Sequence, residues 1–331
     1  MKKQGTIILI LIGIVLLSQV FIFATRNDSV EASACTTTHV KETTGIPPRI
    51  YSPTIPDEMS FAGEKVPLDT YYVREGLDRE LIANTYGHTS MLLYFKRAHR
   101  YFPIIEPILK KNGIPSDFKY LCVIESGLTN ATSPAKAQGF WQFIKATGQR
   151  YGLEVTDEID MRNNLEASTE AACKYLQSLY SQFGSWTAAA AAYNCGENGL
   201  AKNMQKQSID NYYDTRLNNE TSRYIYRILA VKQIMQHPQE YGFFLRPCDL
   251  YPTIPTRTAT LSGQNVDLYA FAKDHGTTYK MLRTLNPWIT TDKLVNKSNK
   301  TYTVKLPVEN GVSLKNIRTE RDKGTDYITK M

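Results

Sequence analysis

The sequence lacks the patterns that accompany several common functions. Its five cysteines, at positions 35, 122, 173, 195 and 248, form no close pairs, and an odd count without close pairs argues against a disulfide scaffold. It has five histidines, and no cysteine–histidine group has the spacing of a zinc site. There is no lysine- or arginine-rich block, and a net charge of +7 dispersed along the chain does not indicate nucleic acid. We therefore expect neither a metal nor a nucleic-acid partner.

What the sequence does contain is enough apolar material to fold. Of its 331 residues, 42% are hydrophobic and 21% are charged, which excludes a wholly disordered or collagen-like chain and suggests two domains. The 21 tyrosines are unusual, since aromatic faces with a polar tip suit carbohydrate as well as ordinary packing. Cys122, Cys173 and Cys195 lie in apolar helical stretches, where a cysteine is expected to behave as a small buried hydrophobe.

The first 25 residues predict export. Met1-Lys2-Lys3 precedes an apolar run from Ile7 to Ala24, and basic residues remain on the cytoplasmic side of a membrane. We favour an uncleaved membrane anchor; the alternatives are a signal peptide cleaved near Ala34 and a lipoprotein acylated at Cys35. From residue 26 to residue 68 the chain is rich in proline, threonine and serine, which predicts a linker.

The remainder divides into two folded parts. Residues 69–245 have helical periodicity and no alternating strand pattern, so the fold class is mainly α. Residues 256–308 predict a small βααβ module, followed by a polar tail at 309–331. Its strands are expected at 258–261 and 302–306 and its helices at 267–275 and 278–285.

Glu125 is the strongest candidate for a catalytic residue. It ends the apolar helical run 120–124 and is followed at once by Ser126-Gly127, a helix stop. A carboxyl group at an apolar helix end is desolvated, which favours its neutral form and raises its pKa toward the range of a general acid. The alternative is an ordinary solvated surface group.

Two further stretches have residues suited to sugar binding. Trp141 and Gln142 combine a ring that stacks on a sugar face with an amide that bonds its substituents, although Trp141 also suits plain core packing. The alanine run 188–192 allows close helix packing and leads to Tyr193-Asn194, at a helix end where a cleft would open. Each feature alone is common in helical proteins.

Taken in order, these motifs resemble a known family. Glu125-Ser126, Gly139-Phe-Trp-Gln142, Ala192-Tyr-Asn-Cys-Gly196 and Glu220-Thr221 are similar to the lytic murein transglycosylases with a soluble-type catalytic domain, over about residues 70–245. The tail, through Val266–Ala272 and Leu285-Asn-Pro-Trp288, resembles a diverged LysM module. The resemblance implies a lysozyme-like α+β catalytic domain, made mostly of helices, with a small βααβ LysM-like module.

The resemblance also implies a reaction. Glu125 would protonate the bond between N-acetylmuramic acid (MurNAc) and N-acetylglucosamine (GlcNAc), then accept the proton of the C6 hydroxyl to give a 1,6-anhydro end. One carboxyl group suffices, which agrees with a sequence that has no obvious second acid beside Glu125. The residues implied to contact substrate or to support that contact are Ser126, Ser133, Gln142, Tyr193, Asn194, Glu220 and Tyr224. No metal or organic cofactor is implied.

Three alternatives stay open on the sequence. A hydrolase of the goose-lysozyme kind would use the same acid with water as the acceptor. A glycan-binding or assembly protein would keep the fold without activity. Independently of these two, the LysM-like module could be a packing unit without ligand affinity. The expected partner is peptidoglycan glycan strands. We expect the protein to be a monomer in the periplasm, attached to the membrane by its N-terminal segment.

Overall fold

The computed structural model describes residues 50–318 and Asp322. The expected membrane segment, most of the linker and nearly all of the polar tail after residue 318 lie outside these residues. Within residues 50–318, no helix combines the length and the apolar character that a membrane crossing requires.

The first folded part is built from helices, as predicted. Its eight α-helices are α1 (Tyr71–Tyr86), α2 (His88–Lys111), α3 (Phe118–Ser126), α4 (Lys145–Arg150), α5 (Leu165–Phe183), α6 (Trp186–Cys195), α7 (Glu197–Gln207) and α8 (Asn219–Gln236). Short 3-10 helices lie between α4 and α5, at Met161–Asn163, and after α8, at Pro238–Tyr241 and Pro247–Asp249. Helix α8 packs against α1, α3 and α6, so it lies at the centre of the domain.

Helix α3 forms as its sequence predicts and delivers Glu125 at its end. Six of its nine residues are buried, because Phe118 and the run 120–124 face neighbouring helices. Gly127 ends the helix in the left-handed conformation, with φ +60°, and its N–H donates to the Val123 carbonyl at 2.8 Å. The predicted helix stop is confirmed.

Helix α6 is the second element that positions the site. The Ser185 side chain accepts a hydrogen bond from the Ala188 N–H and caps the helix. Residues 188–192, all alanine, are at most 2% exposed, and their small side chains let α6 pack closely against α5 and α8. The predicted helix, which begins after Ser185 and ends near Gly196, is confirmed.

Three cysteines of this domain serve apolar packing. Cys122, Cys173 and Cys195 are free thiols, the first two fully buried. Burial raises the pKa of Cys122 well above its usual value and that of Cys173 to about 12. These two thiols therefore stay neutral at physiological pH, and the prediction of small buried hydrophobes is confirmed for them. Cys195 is only half-buried, although it packs against the same core.

The end of the stretch assigned to the linker is part of the core. Residues 60–61 and 64–65 form a two-stranded hairpin, β1 (Ser60–Phe61) and β2 (Glu64–Lys65). Phe61, Val66 and Leu68 are at most 4% exposed, and the Phe61 ring lies 5.2 Å from that of Phe118. The proline and threonine residues upstream dominate the composition of this stretch, so composition alone predicted a linker and did not indicate these buried apolar side chains.

Short β-bridges also occur inside the helical domain, although no strand was expected before residue 257. Gln138 is paired with Thr132 on one side and with Phe143 on the other. These pairs fold residues 131–143 into a compact loop between α3 and α4. The sequence shows no alternation there because each bridge is a single residue pair.

The C-terminal module has the predicted βααβ order. Strand β3 (Thr256–Leu261) pairs antiparallel with β6 (Tyr302–Pro307), and a small pair joins β4 (Val266–Asp267) to β5 (Lys293–Leu294). Between them lie α9 (Leu268–Asp274) and α10 (Tyr279–Leu285), and a last short helix, α11, covers Leu314–Ile317. Asp267 and Thr278 cap the two central helices with their side chains.

Candidate active site

A cleft of about 580 Å³ opens where four segments of the helical domain meet. These segments are the end of α3, the loop 131–143, the end of α6 and the first turns of α8. Of the residues predicted from the sequence, the cleft is lined by Glu125, Ser133, Gln142, Tyr193, Asn194, Glu220 and Tyr224. Ser126 does not line it: its hydroxyl donates to the Cys122 carbonyl at 3.3 Å, within its own helix.

Glu125 lies partly buried at the cleft wall, and its environment opposes ionisation. Loss of hydration raises the pKa of this carboxyl group from 4.5 to about 7, and the negative charge of Glu220 acts in the same direction. A hydrogen bond from Tyr224 and the positive charge of Arg227 act against that rise. The outcome is a carboxylic acid that is substantially protonated near neutral pH, which is what a general acid requires.

One face of helix α8 supplies the groups that surround this acid. Glu220, Tyr224 and Arg227 follow one another at intervals of four and three residues, so they share a helix face. The buried Tyr224 hydroxyl donates to Glu125 Oε1, and Arg227 Nη2 donates to the Ile124 carbonyl at 3.2 Å. Burial raises the pKa of Tyr224 well above its usual value, so this phenol remains a hydrogen-bond donor.

Asn194 connects the end of α6 to the start of α8. Its Nδ2 donates to Glu220 Oε1 at 3.3 Å, and its Oδ1 accepts from the Thr221 hydroxyl at 2.9 Å. Thr221 is 1% exposed, whereas Glu220 is exposed to solvent. The amide is thus fixed in orientation with one edge toward the cleft.

Tyr193 is held in place by its hydroxyl and by neighbouring rings. The hydroxyl donates to the Trp141 carbonyl at 2.7 Å, which joins α6 to the loop 131–143. Its ring centroid lies 5.1 Å from Tyr175 and 6.1 Å from Phe143. This cluster forms an aromatic wall beside Glu125.

The loop 131–143 brings Ser133 and Gln142 into the lining of the cleft. Gln142 has φ +50° and its amide nitrogen donates to the carbonyls of Ala131 and Gly139 at 2.9 and 2.7 Å. Ser133 Oγ accepts the Ala137 N–H at 3.1 Å. Both side chains therefore hold the loop together as well as line the cleft.

Trp141 does not face the cleft. Its side chain is fully buried, and its ring N–H donates to Thr169 Oγ1 at 2.8 Å. Of the two interpretations that the sequence allowed, core packing is correct. The Phe140 and Phe143 side chains beside it are buried as well.

Sequence reasoning missed a second polar cluster along the cleft. Arg150 Nη1 pairs with Glu197 Oε1 at 2.8 Å, and the Tyr175 hydroxyl donates to Glu197 Oε2 at 3.2 Å. The pKa of Glu197 is held below its ordinary value, first by the backbone N–H of Glu197 itself and then by the Arg150 side chain. No local motif marks this pair, since its members are 47 positions apart. Arg227 was also missed, although its spacing from Glu220 and Tyr224 was visible.

Two further carboxyl groups accompany Glu125: Glu220 was among the residues predicted for the site, whereas Glu197 was not. Glu197 and Glu220 both line the same cleft. Glu220 approaches Glu125 closely enough to raise its pKa, while Glu197 is engaged by Arg150. These residues come from α7 and α8, so their proximity depends on tertiary packing.

Within residues 50–318, no group of three or more histidine, cysteine or acidic side chains has a metal-binding arrangement.

Comparison with known proteins agrees with this architecture. Residues 102–215 match the family model of the transglycosylase SLT domain, and residues 257–310 match that of the soluble lytic transglycosylase C-terminal LysM-like domain. Over 202 residues the chain is 32% identical to the membrane-bound lytic murein transglycosylase D of Escherichia coli strain K12. The protein of the same name from Escherichia coli O6:H1 gives the same identity over the same length.

The matched region is 58% of this chain and 44% of each relative, so the chain spans less than half the length of these curated proteins. The chain contains a lysozyme-like SLT transglycosylase domain followed by a LysM-like domain. The family resemblance drawn from the motifs is confirmed.

Proposed function

We propose that this chain, with its SLT transglycosylase domain and its LysM-like domain, is a peptidoglycan lytic transglycosylase. It would cleave the β-1,4 bond between MurNAc and GlcNAc without adding water and leave a 1,6-anhydro-MurNAc end. The observation that carries the proposal is Glu125, a desolvated carboxylic acid with a pKa of about 7 that lines a cleft of about 580 Å³.

In the first step Glu125 acts as a general acid. Because Tyr224 donates to Oε1, the proton of the neutral acid resides on Oε2, the oxygen left free for substrate. That proton passes to the glycosidic oxygen as the bond to C1 of MurNAc breaks. The departing GlcNAc end takes the proton, and positive charge develops at C1.

In the second step the same group acts as a base. The Glu125 carboxylate, now charged, is stabilised by the Tyr224 hydrogen bond and by the nearby Arg227 charge. It accepts the proton of the C6 hydroxyl while the C6 oxygen bonds to C1, which restores the neutral acid. The proton count balances with Glu125 alone, so the cycle calls for no cofactor.

The remaining predicted residues bind and orient the substrate. Asn194, held by Glu220 and Thr221, is suited to hydrogen-bond an acetamido group near C1. Tyr193 gives a flat aromatic surface, while Gln142 and Ser133 line the loop side of the cleft. Ser126 would support the end of α3 without touching sugar.

We further propose that the enzyme acts in the periplasm as a monomer attached to the membrane by its N-terminal segment. The positively charged residues before an apolar run support export, and a net charge of +7 favours approach to an anionic cell-wall mesh. The LysM-like domain would hold glycan strands near the cleft. The intact mass of the native protein would distinguish an uncleaved anchor from a processed or lipidated N-terminus.

The test is to digest purified glycan strands with the full chain and with Glu125→Gln. Products lighter by one water than hydrolysis products, absent with the variant, would support the proposal. Products that contain the added water and end in a reducing sugar would instead assign a hydrolase.

A hydrolase is the second candidate, because Glu220 lies near Glu125 and would be placed to activate a water molecule. If neither protein cleaves while both fold and bind glycan, the chain is a glycan-binding protein.

A further inference from the structure

The boundary between the two domains is crossed by continuous backbone hydrogen bonds. Ile159, from the helical domain, pairs antiparallel with Ile289 of the LysM-like module. The Asp160 N–H donates to the Trp288 carbonyl at 2.7 Å, and the Thr290 N–H donates to the Glu158 carbonyl at 2.9 Å. Residues 158–160 thus form a short antiparallel bridge with residues 288–290 of the module.

Side chains strengthen this junction. Ile159 is 2% exposed and belongs to the hydrophobic core of the module, together with Leu261, Leu268 and Leu282. The Glu158 carboxylate accepts the N–H groups of residues 295 and 296, at 2.5 and 3.2 Å. A segment of the helical domain is therefore built into the module's core.

The residues that follow this segment reach the active-site loop. Asp160 and Arg162 form a buried ion pair, in which Nε–Oδ1 is 2.9 Å and Nη2–Oδ2 is 2.6 Å, and each residue is 5% exposed. Arg162 Nη1 also donates to the carbonyls of Lys136 and Phe143, at 3.0 and 3.1 Å. A buried pair with two additional acceptors defines the position of its neighbours closely.

The loop is in turn the wall that presents Gln142 to the cleft. The N–H groups of Gln138 and Phe143 donate to each other's carbonyls at 3.0 and 3.2 Å, and Asn163 Nδ2 donates to Gln138 Oε1 at 3.1 Å. Gly139 packs so tightly that a Cβ added there would lie 1.9 Å from the Arg162 carbonyl oxygen. Any shift of Arg162 is therefore transmitted to the loop.

We propose that the LysM-like module is a positioning element of the active site, and that Ile159, Asp160 and Arg162 are the positioning residues through which it acts. The proposal rests on the function proposed above and adds a role that is separate from glycan binding by the module. Docked on residues 158–160, the module holds Arg162 in place, and Arg162 holds the loop that carries Ser133 and Gln142.

The experiment compares two variants of the full chain with matched controls. Ile159→Ala loosens the docked segment, and its control is Ile114→Ala, which removes the same atoms from a site 4% exposed in the helical core. Asp160→Asn weakens the buried ion pair without changing its shape. Its control is Asp117→Asn, in an ion pair with Lys232 of 2.7 Å. All four are assayed well below their unfolding temperatures.

Two readouts are made on each protein. The kcat on glycan strands is expected to fall about tenfold in both test variants and less than about twofold in the controls, because misplaced binding groups weaken transition-state stabilisation. Hydrogen exchange at the Gln138 and Phe143 amides is expected to accelerate about tenfold in the test variants alone, as local opening becomes easier.

The inference is overturned if Ile159→Ala and Asp160→Asn keep both the kcat and the amide protection of their controls. A wild-type protein that does not cleave glycan removes the kinetic readout and contradicts the proposed function. Hydrogen exchange would still decide whether the module positions the loop, so the two failures are distinguishable.

Discussion

Replacing Glu125 by glutamine removes a carboxyl group whose ionisation the fold opposes. In the folded protein its pKa is about 7, whereas its ordinary value is 4.5. The loss of hydration in the cleft raises the pKa by more than the Tyr224 hydrogen bond and the Arg227 charge lower it. Glutamine has nearly the same shape and never ionises. The variant therefore isolates the free energy that the folded state loses when this group becomes charged.

The sign and the magnitude follow from proton linkage. Between pH 4.5 and about 7 the folded protein retains the Glu125 proton while the unfolded chain has released it, so the free energy of unfolding falls as pH rises. At about 1.4 kcal/mol per pH unit, that interval corresponds to about 3 kcal/mol. The contribution is fully present below pH 4.5 and lost above about pH 7. As pH is raised from acid to mildly alkaline, the free energy of unfolding of Glu125→Gln is thus expected to increase by about 3 kcal/mol relative to that of the wild type.

Urea unfolding of both proteins, followed by circular dichroism across this pH range, measures the difference directly. Glu197→Gln is the control of opposite sign. The pKa of Glu197 is lowered by its backbone N–H and by Arg150, so this carboxylate stabilises the fold above its ordinary pKa, and that stabilisation is lost as pH falls through the lowered value. A Glu125→Gln difference that stays constant with pH, to within about 1 kcal/mol, would refute the reasoning.

Three further predictions concern the same site and its loop. The kcat/KM on glycan strands should decline as pH rises above about 7, because Glu125 must be protonated to act, and a pH series with an unchanged rate to pH 9 would contradict this. Tyr224→Phe removes a hydrogen bond that lowers the pKa of Glu125, so the decline should move to higher pH while kcat falls; a decline at lower pH would show that the bond acts otherwise. Gly139→Ala should cost about 3 kcal/mol of unfolding free energy, because its Cβ would collide with a carbonyl oxygen 1.9 Å away. Gly152→Ala, at φ +94° with no atom within 4 Å, should cost about 1 kcal/mol, and equal losses in urea unfolding would exclude the collision.

Local signals were sufficient to predict the elements that carry the proposed catalytic acid. The apolar run before Glu125 and the glycine after it determine where α3 lies and ends, and both act within one or two helical turns. The βααβ module was predictable for the same reason, since caps such as Asp267 and Thr278 adjoin the helices they start. These features depend on neighbours in sequence.

The rest of the site depends on contacts between distant residues. Arg150 meets Glu197 because the end of α4 and the start of α7 both line the cleft, and no motif around either residue indicates it. Phe61 was assigned to a linker because the surrounding composition is that of a linker, whereas its burial follows from contact with Phe118. Arg162 likewise holds two carbonyls of a loop, 26 and 19 positions earlier, which spacing alone cannot reveal.

The central claim is that Glu125 alone closes the reaction without water at C1. Digestion of purified glycan strands by the full chain in water enriched with oxygen-18, followed by mass spectrometry of the muramic acid ends, tests it directly. The account predicts anhydro ends that carry no oxygen-18, formed by the wild type and absent with Glu125→Gln. One oxygen-18 atom at each new reducing end would contradict it and assign the cleavage to a hydrolase in which a second carboxylate, such as Glu220, activates water.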